Sequence, residues 1–188
     1  MASRWVGLLA IGAVLWCGAA GAIQPVRSLY TAIDPSDCES MPGAAARLCR
    51  GLPGYPVYLA EGDRGVFLSV GPHPEKRRAA QQTLSATNTL FEKGGQRPTV
   101  EWRFVVRDGK PVPYATIVRY LTEGPQGIGE VLVVMRVTER EACHVAYIDA
   151  LANLNPLVLA RGIADKVARS QPCPQQPSVQ GAHGRSPM

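Results

Sequence analysis

The sequence lacks the local signatures by which many enzymes are recognised. It contains no G-x-S-x-G elbow, no H-E-x-x-H helix, no S-x-x-K motif and no phosphate loop ending in G-K-[ST]. It also has no C-x-x-C or H-x-x-x-H pair, and its three histidines are spread along the chain. Zinc-type ligand spacing is therefore absent. These absences favour a non-enzymatic role, and we predict neither a metal nor another cofactor.

The first 22 residues differ from the rest of the chain in carrying almost no charge. Arg4 is their only charged residue, an apolar run extends from Trp5 to Trp16, and the small residues Ala20, Gly21 and Ala22 end it. This pattern is typical of a signal peptide cleaved after Ala22. The alternative is a retained anchor, but a membrane span needs about 20 apolar residues. We predict a periplasmic or secreted protein without stable membrane insertion after signal cleavage.

Cleavage would remove Cys17 and leave Cys38, Cys49, Cys143 and Cys173. An even number of cysteines in an oxidising compartment predicts two disulfides. Three connectivities are open. We prefer Cys38 with Cys49 and Cys143 with Cys173, because this pairing joins neighbours in the sequence and needs no crossing of the domain. Each bond would stabilise the fold by ~3 kcal/mol in the loop-entropy model.

The chain is basic, with a formal net charge of +5 and a pI near 9.1. In the cytoplasm this balance would suggest nucleic acid as a partner. Export removes the protein from most nucleic acid, and the basic residues are scattered apart from the cluster at residues 76–78. We therefore expect no nucleic-acid partner.

The mature chain predicts an α+β fold: one disulfide-stapled domain with an antiparallel sheet of about six strands and a C-terminal helix packed on one face. The expected strands are residues 55–60, 65–70, 99–106, the arm that follows Asp108-Gly109, 131–137 and 143–149. A short helix at residues 75–84, a loop at 85–98 and a final helix beginning at Asn155-Pro156 complete it.

The domain boundaries follow from composition. Residues 23–36 show no sustained period and are interpreted as a lead-in to a single domain at residues 37–173. Residues 174–188 have too few apolar side chains to offset the entropy of ordering, so we expect a disordered tail.

The alternation of apolar residues from Thr99 onward predicts a half-buried strand, and Asp108-Gly109 predicts a tight hairpin turn. A two-residue turn would place Trp102 opposite Ala115 and Val100 opposite Ile117.

That register puts polar and aromatic side chains together on the other face of the hairpin. They are Glu101, Arg103, Tyr114, Thr116 and Tyr120. Such a face can bind a glycan or a peptide. The alternative is an ordinary exposed sheet face, or one covered by the first helix.

His144 lies beside Cys143 in a predicted strand. Adjacent strand residues point to opposite faces, so the two cannot form a nucleophile–base pair, and we interpret His144 as a hydrogen-bonded residue on the outer face. An envelope hydrolase using Glu101, Arg103, Arg119 or His144 remains the enzymatic alternative. A deep pocket that gathers two of these residues would favour it, whereas a covered face would oppose it.

Four segments resemble a group of small exported bacterial proteins to which no activity is assigned. They are Cys49–Tyr58, Glu101–Arg103, Tyr114–Tyr120 and Cys143–Tyr147, and the resemblance extends from Tyr30 to Cys173. It implies export and a compact domain but no ligand or catalytic residue. Together with the residue patterns, it leads us to expect a non-enzymatic binding module for an unidentified envelope component or protein partner.

Overall fold

The computed structural model describes residues 25–92 and 94–188, and the predicted signal peptide lies outside them. This described part is mostly β-sheet with one short C-terminal helix. The strands are β1 (Arg27–Ala32), β2 (Cys38–Ser40), β3 (Ala46–Leu52), β4 (Tyr55–Gly62), β5 (Gly65–Val70), β6 (Thr87–Leu90), β7 (Thr99–Arg107), β8 (Lys110–Gly124), β9 (Gly127–Val137), β10 (Ala142–Asp149) and β11 (Ser178–Val179). The helix is α1 (Pro156–Ile163), which continues into a π-helical turn at Ala164–Ala168.

The sheet divides at β8, because this strand is 15 residues long and has two partners on one edge. Residues 110–118 of β8 pair with β7, which in turn pairs with β1. Residues 120–123 pair with β6, and β5, β4, β3 and β2 follow in that order. The other edge of β8 pairs with β9, beyond which lie β10 and β11.

The expected antiparallel sheet of about six strands is therefore wrong in strand number and in strand direction. The described residues form eleven strands, and the pairs β5–β6 and β10–β11 are parallel. The additional strands include β1 in the expected lead-in, β6 in the expected loop and β11 in the expected tail. Strands β6 and β11 are short, and all three have partners far away in the sequence, so local alternation did not indicate them.

Two hydrophobic clusters lie on opposite faces of the central strands. The first lies where the β3–β5 branch packs against β7, β8 and β9, and includes Val57, Leu68, Trp102, Tyr120 and Val133. The second lies under the C-terminal helix and includes Ala115, Ile117, Val134, Ala160, Ala164 and Ala168. The sheet is therefore covered on both faces of its centre.

The C-terminal helix begins at Pro156 as predicted, although Asn155 makes no side-chain capping bond. Ala160 of the helix and Ala164 and Ala168 of the π-helical turn are fully buried, and they are small enough to let the helical backbone approach the sheet closely. The helix predicted at residues 75–84 is instead a pair of 3₁₀ turns, at Pro74–Lys76 and Arg78–Gln81. No helix among the described residues is long and apolar enough to cross a membrane.

The preferred disulfide connectivity is confirmed. Cys38 bonds to Cys49 and joins β2 to β3, while Cys143 bonds to Cys173 and joins β10 to the segment after the helix. The second bond therefore ties the end of the helical segment to the sheet.

The predicted register of the β7–β8 hairpin is wrong by one residue. Trp102 pairs with Thr116 and Val100 pairs with Val118, because a bulge at Tyr114 inserts one residue on β8. A shift of one residue exchanges the two faces of a strand. Thr116 therefore lies on the same face as Trp102.

The C-terminal segment differs from the predicted disorder of residues 174–188. Strand β11 pairs with β10, and Ser186 is 4% exposed. The buried Asp149 carboxylate accepts hydrogen bonds from the backbone N–H groups of Arg185 and Ser186, at 2.7 and 2.8 Å. These hydrogen bonds order the segment, for which the burial of apolar side chains alone would stabilise too little.

Candidate functional site

The polar face predicted from the sequence lies beneath the C-terminal helix. Glu101 is 4% exposed, and its Oε1 accepts hydrogen bonds from Ser28 Oγ at 2.6 Å and from Arg161 Nε at 2.7 Å. Arg161 also donates to the Tyr30 hydroxyl at 2.7 Å. Glu101 is therefore occupied by groups of the chain itself.

Arg103 is engaged in the same way. Its Nε and Nη2 donate to the two carboxylate oxygens of Asp165 at 2.9 and 2.6 Å. Tyr114 donates its hydroxyl proton to Asp165 Oδ1 at 2.5 Å. Burial raises the pKa of Tyr114, and the Asp165 carboxylate raises it further. Two arginines and two carboxylates thus form a closed, charge-balanced network that fastens the helix to the sheet.

The other two residues of the predicted site lie elsewhere. Thr116 and Tyr120 face the first hydrophobic cluster, on the opposite side of the sheet from Glu101. Their hydroxyl groups have no hydrogen-bond partner within the described part of the chain. Burial, followed by the nearby Tyr147, raises the pKa of Tyr120. The predicted set therefore separates into three residues in the network and two in the core.

Sequence reasoning missed four members of that network: Ser28, Tyr30, Arg161 and Asp165. The one available signal was that Arg161 and Asp165 lie four residues apart and so share a helix face. Their opposite charges match those of Glu101 and Arg103, but nothing local shows that this helix face meets β7.

His144 is buried, so its predicted place on the outer face of the sheet is wrong. Its Nδ1 lies 2.9 Å from the Tyr147 hydroxyl, and its Nε2 has no hydrogen-bond partner among the described residues. Burial lowers its pKa to about 3, with a smaller contribution from Arg78. His144 points to the face opposite Glu101, and Arg119 is paired with Glu130 at 2.7 Å. Of the four candidate hydrolase residues, only Glu101 and Arg103 lie together, 3.9 Å apart within the buried network, while His144 lies on the other face and Arg119 is paired elsewhere.

An open cleft forms where β8 and β9 separate, and we call it the fork cleft. Pairing between these strands begins at Ala115 and Arg136, so residues 110–114 of β8 and the β9–β10 turn at residues 138–141 diverge. The cleft has a volume of about 630 Å³. Its lining includes aliphatic and aromatic side chains: Val105, Val112, Pro113, Val137, Tyr55 and Tyr114.

Charged groups of both signs surround this apolar lining. Three are arginines, Arg107, Arg140 and Arg169, and two are glutamates, Glu139 and Glu141. Within residues 25–92 and 94–188, none of the three arginines forms a salt bridge with a carboxylate. The cleft therefore carries one net positive charge and several guanidinium groups without an anionic partner.

The surroundings of the fork cleft hold its charged groups in place. The Arg169 guanidinium lies 5.5 Å from the centre of the Tyr114 ring, a cation–π contact. Glu141 lies 3.3 Å from Arg136 Nε, which offsets its charge. Arg77 donates to the backbone carbonyl groups of residues 139 and 140 and so fixes the turn.

A metal centre has no comparable support in the described residues, where no group of three or more His, Cys, Asp or Glu side chains could hold an ion. In comparisons with known proteins, no family model, curated protein or solved structure matches the chain. Function must therefore be inferred from the geometry and chemistry of the site itself.

Proposed function

We propose that this chain is an exported, non-enzymatic binding module for an envelope component or a protein partner, and that the fork cleft is its binding site. Export rests on the signal-like first 22 residues and agrees with two disulfides, since such bonds persist mainly in oxidising compartments. Binding rests on the cleft.

One observation carries the proposal: an apolar concave surface is bordered by arginines that have no carboxylate partner among the described residues. Ligand sites typically have 300–1,000 Å³ of mainly apolar lining with a few polar groups that orient the ligand. The fork cleft has this size and this mixture. All three arginines are solvent-exposed, so their guanidinium groups are accessible to an anionic group of a ligand.

The enzymatic alternative receives less support. A hydrolase on the predicted polar face would need Glu101 or Arg103 to be accessible, but Arg161 and Asp165 occupy both. His144 lies on the other side of the sheet. The predicted polar face is thus covered, which is the arrangement that we expected to argue against a hydrolase.

Binding can be tested with the intrinsic fluorescence of Trp102, the only tryptophan beyond residue 22. The ring of Tyr55, which lines the cleft, lies edge-on to it with centroids 6.5 Å apart. We expect a saturable change in emission when a fractionated envelope extract is titrated into protein beginning at Ile23. Val112→Phe should abolish the change by filling the cleft, and Val179→Phe, on exposed β11, should retain it. No saturable change, or equal loss in both variants, would refute the proposed site.

Export is tested separately by intact mass. Protein recovered from the periplasm or medium should begin at Ile23 and take up alkylating reagent at four cysteines only after reduction. A retained first segment, or free thiols before reduction, would contradict export with disulfide formation.

A further inference from the structure

The chemistry of the fork cleft also indicates a ligand class, an inference that rests on the proposed function. We propose that the ligand is a compact apolar carboxylic acid, with its carboxylate on the arginines and its apolar body on the aliphatic lining. The reasons are the charge of the cleft, the geometry of the guanidinium group and the absence of backbone donors along one wall.

The sign of the charge favours an anionic ligand. The lining carries three arginines and two glutamates, and Arg136 beside Glu141 brings the local sum to +2. A carboxylate is attracted to this positive charge and places one unit of charge beside the apolar lining, whereas a phosphate monoester carries about −1.5 to −2 at neutral pH and would cost more to desolvate there. The planar guanidinium fork can also bind both oxygens of a carboxylate at once.

The apolar lining of the fork cleft favours a carboxylate that is attached to an apolar body. Val105, Val112 and Val137 contribute aliphatic surface, and Tyr55 and Tyr114 contribute ring surface. A small hydrophilic acid would leave this surface in water. An alkyl or aryl chain of several carbons would cover it and gain about 0.8 kcal/mol for each CH₂ group that becomes buried.

The edge of β8 disfavours an extended peptide strand as the ligand. Pro111 and Pro113 pair with Val106 and Phe104 of β7. Proline is accepted in such a ladder where its missing N–H would point away from the partner strand. The edge facing the cleft therefore lacks donors at two alternate positions, and a peptide added there could not complete a ladder. A compact ligand held by its carboxylate and its apolar body does not need these backbone donors.

The experiment compares acids with their uncharged amides. Protein beginning at Ile23 is titrated with octanoate, octanamide, N-acetyl-leucyl-leucine and its C-terminal amide, with Trp102 fluorescence and calorimetry as readouts. We expect each acid to bind about tenfold or more tightly than its amide, since a hydrogen bond to a charged group contributes on that scale. The stronger of the two acids identifies the source of the carboxylate, a fatty acid or a peptide end.

Variants assign the effect to the cleft. Arg140→Gln and Arg169→Gln should each weaken acid binding about tenfold and amide binding much less, because only the acid uses the charge. Arg47→Gln, on the exposed face of β3, is the matched control and should change neither. Equal affinity for acid and amide, or no binding of either acid, would overturn the ligand class. If the envelope extract still gives a signal that Val112→Phe abolishes, the binding site stands and only the ligand class fails; if that signal is also absent, both fail.

Discussion

Replacing Asp149 with asparagine should release the C-terminal segment from the domain. The side chain of Asp149 is fully buried, and its two oxygens accept five hydrogen bonds. Oδ2 accepts the backbone N–H groups of Arg185 and Ser186, at 2.7 and 2.8 Å. In asparagine, one oxygen becomes an NH₂ group; with the amide oxygen kept on the three donors at Oδ1, this group faces the two backbone N–H groups and cannot accept them.

The magnitude follows from these two bonds. A hydrogen bond to a charged group contributes about 1.5–3 kcal/mol, so the loss of both should weaken docking of the segment by about 3 kcal/mol or more. This corresponds to a rise of at least about 100-fold in the undocked population. The rest of the domain keeps both disulfides and both hydrophobic clusters, so we expect it to stay folded.

Limited trypsin digestion followed by intact-mass measurement gives the assay. Cleavage after Arg185 needs the segment to undock, since the docked Arg185 N–H is bonded to Asp149 and its guanidinium to the Leu151 carbonyl, at 2.7 Å. We expect loss of the last three residues to be at least about tenfold faster in Asp149→Asn. Asp108→Asn, in an exposed turn, makes the same chemical change and serves as the control. Equal cleavage rates in the variant, the control and the wild type would refute the proposed role of Asp149.

The same carboxylate predicts a dependence on pH. Burial alone would raise the pKa of Asp149, but hydrogen bonds from Ser186, Arg185 and Ala152 bring it below its ordinary value. A carboxyl with a lowered folded pKa contributes stability above its unfolded pKa of about 3.9 and loses that contribution as pH falls through the folded value. Release of the segment should therefore increase below about pH 4 in the wild type, and Asp149→Asn should remove this dependence.

Three further predictions concern other parts of the fold. Arg161→Met should lower the free energy of unfolding by about 3 kcal/mol, because it leaves the buried Glu101 carboxylate without its closest charged partner; Arg97→Met, in a more exposed pair, should cost less than about 1 kcal/mol. Stability should fall as pH drops below about 6.5, because unfolded His144 then binds a proton that the buried ring, with a pKa of about 3, does not. Gly129→Ala should also release the C-terminal segment, since a Cβ at position 129 would lie only 2.6 Å from the Cα atom of Ser186.

Each of these three has its own measurement and its own contradicting result. Urea denaturation measures the arginine variants, and equal losses in both would contradict the buried network. Denaturation between pH 4 and 7 measures the histidine effect, and a slope that is unchanged in His144→Asn would assign it to other groups. The trypsin assay measures Gly129→Ala, and protection equal to that of the wild type would show that the segment adjusts to the added methyl group.

Local patterns predicted the parts of this fold that depend on neighbouring residues. The alternation from Thr99 indicated β7, and Asp108-Gly109 indicated the turn, where both residues have positive φ values, 50° and 73°. The helix start at Pro156 was read from the sequence in the same way.

The parts that were missed depend on contacts between distant residues. The bulge at Tyr114 changed the faces of Thr116 and Tyr120, yet no turn or alternation rule places a bulge inside a strand of regular length. Order in the C-terminal segment depends on Asp149, about 37 positions before Ser186 in the chain. Composition could not indicate that a single carboxylate would hold so polar a segment.

The fork cleft could not be predicted for the same reason. Its lining comes from β4, the β7–β8 hairpin, the β9–β10 turn and the residue after the π-helical turn. It exists because β8 and β9 stop pairing at Ala115 and Arg136. Pair registry of this kind is a tertiary property, so the arginines of the cleft looked like ordinary scattered surface charges in the sequence.

The central claim is that the fork cleft binds a ligand, and mapping of backbone amide chemical shifts tests it most directly. Protein beginning at Ile23 would be labelled with ¹⁵N and titrated with octanoate and, in parallel, with the envelope extract. The expected result is a set of saturable shift changes confined to Tyr55, residues 105–114, residues 137–141 and Arg169. Saturable changes centred elsewhere, or no changes with either titrant, would contradict the claim.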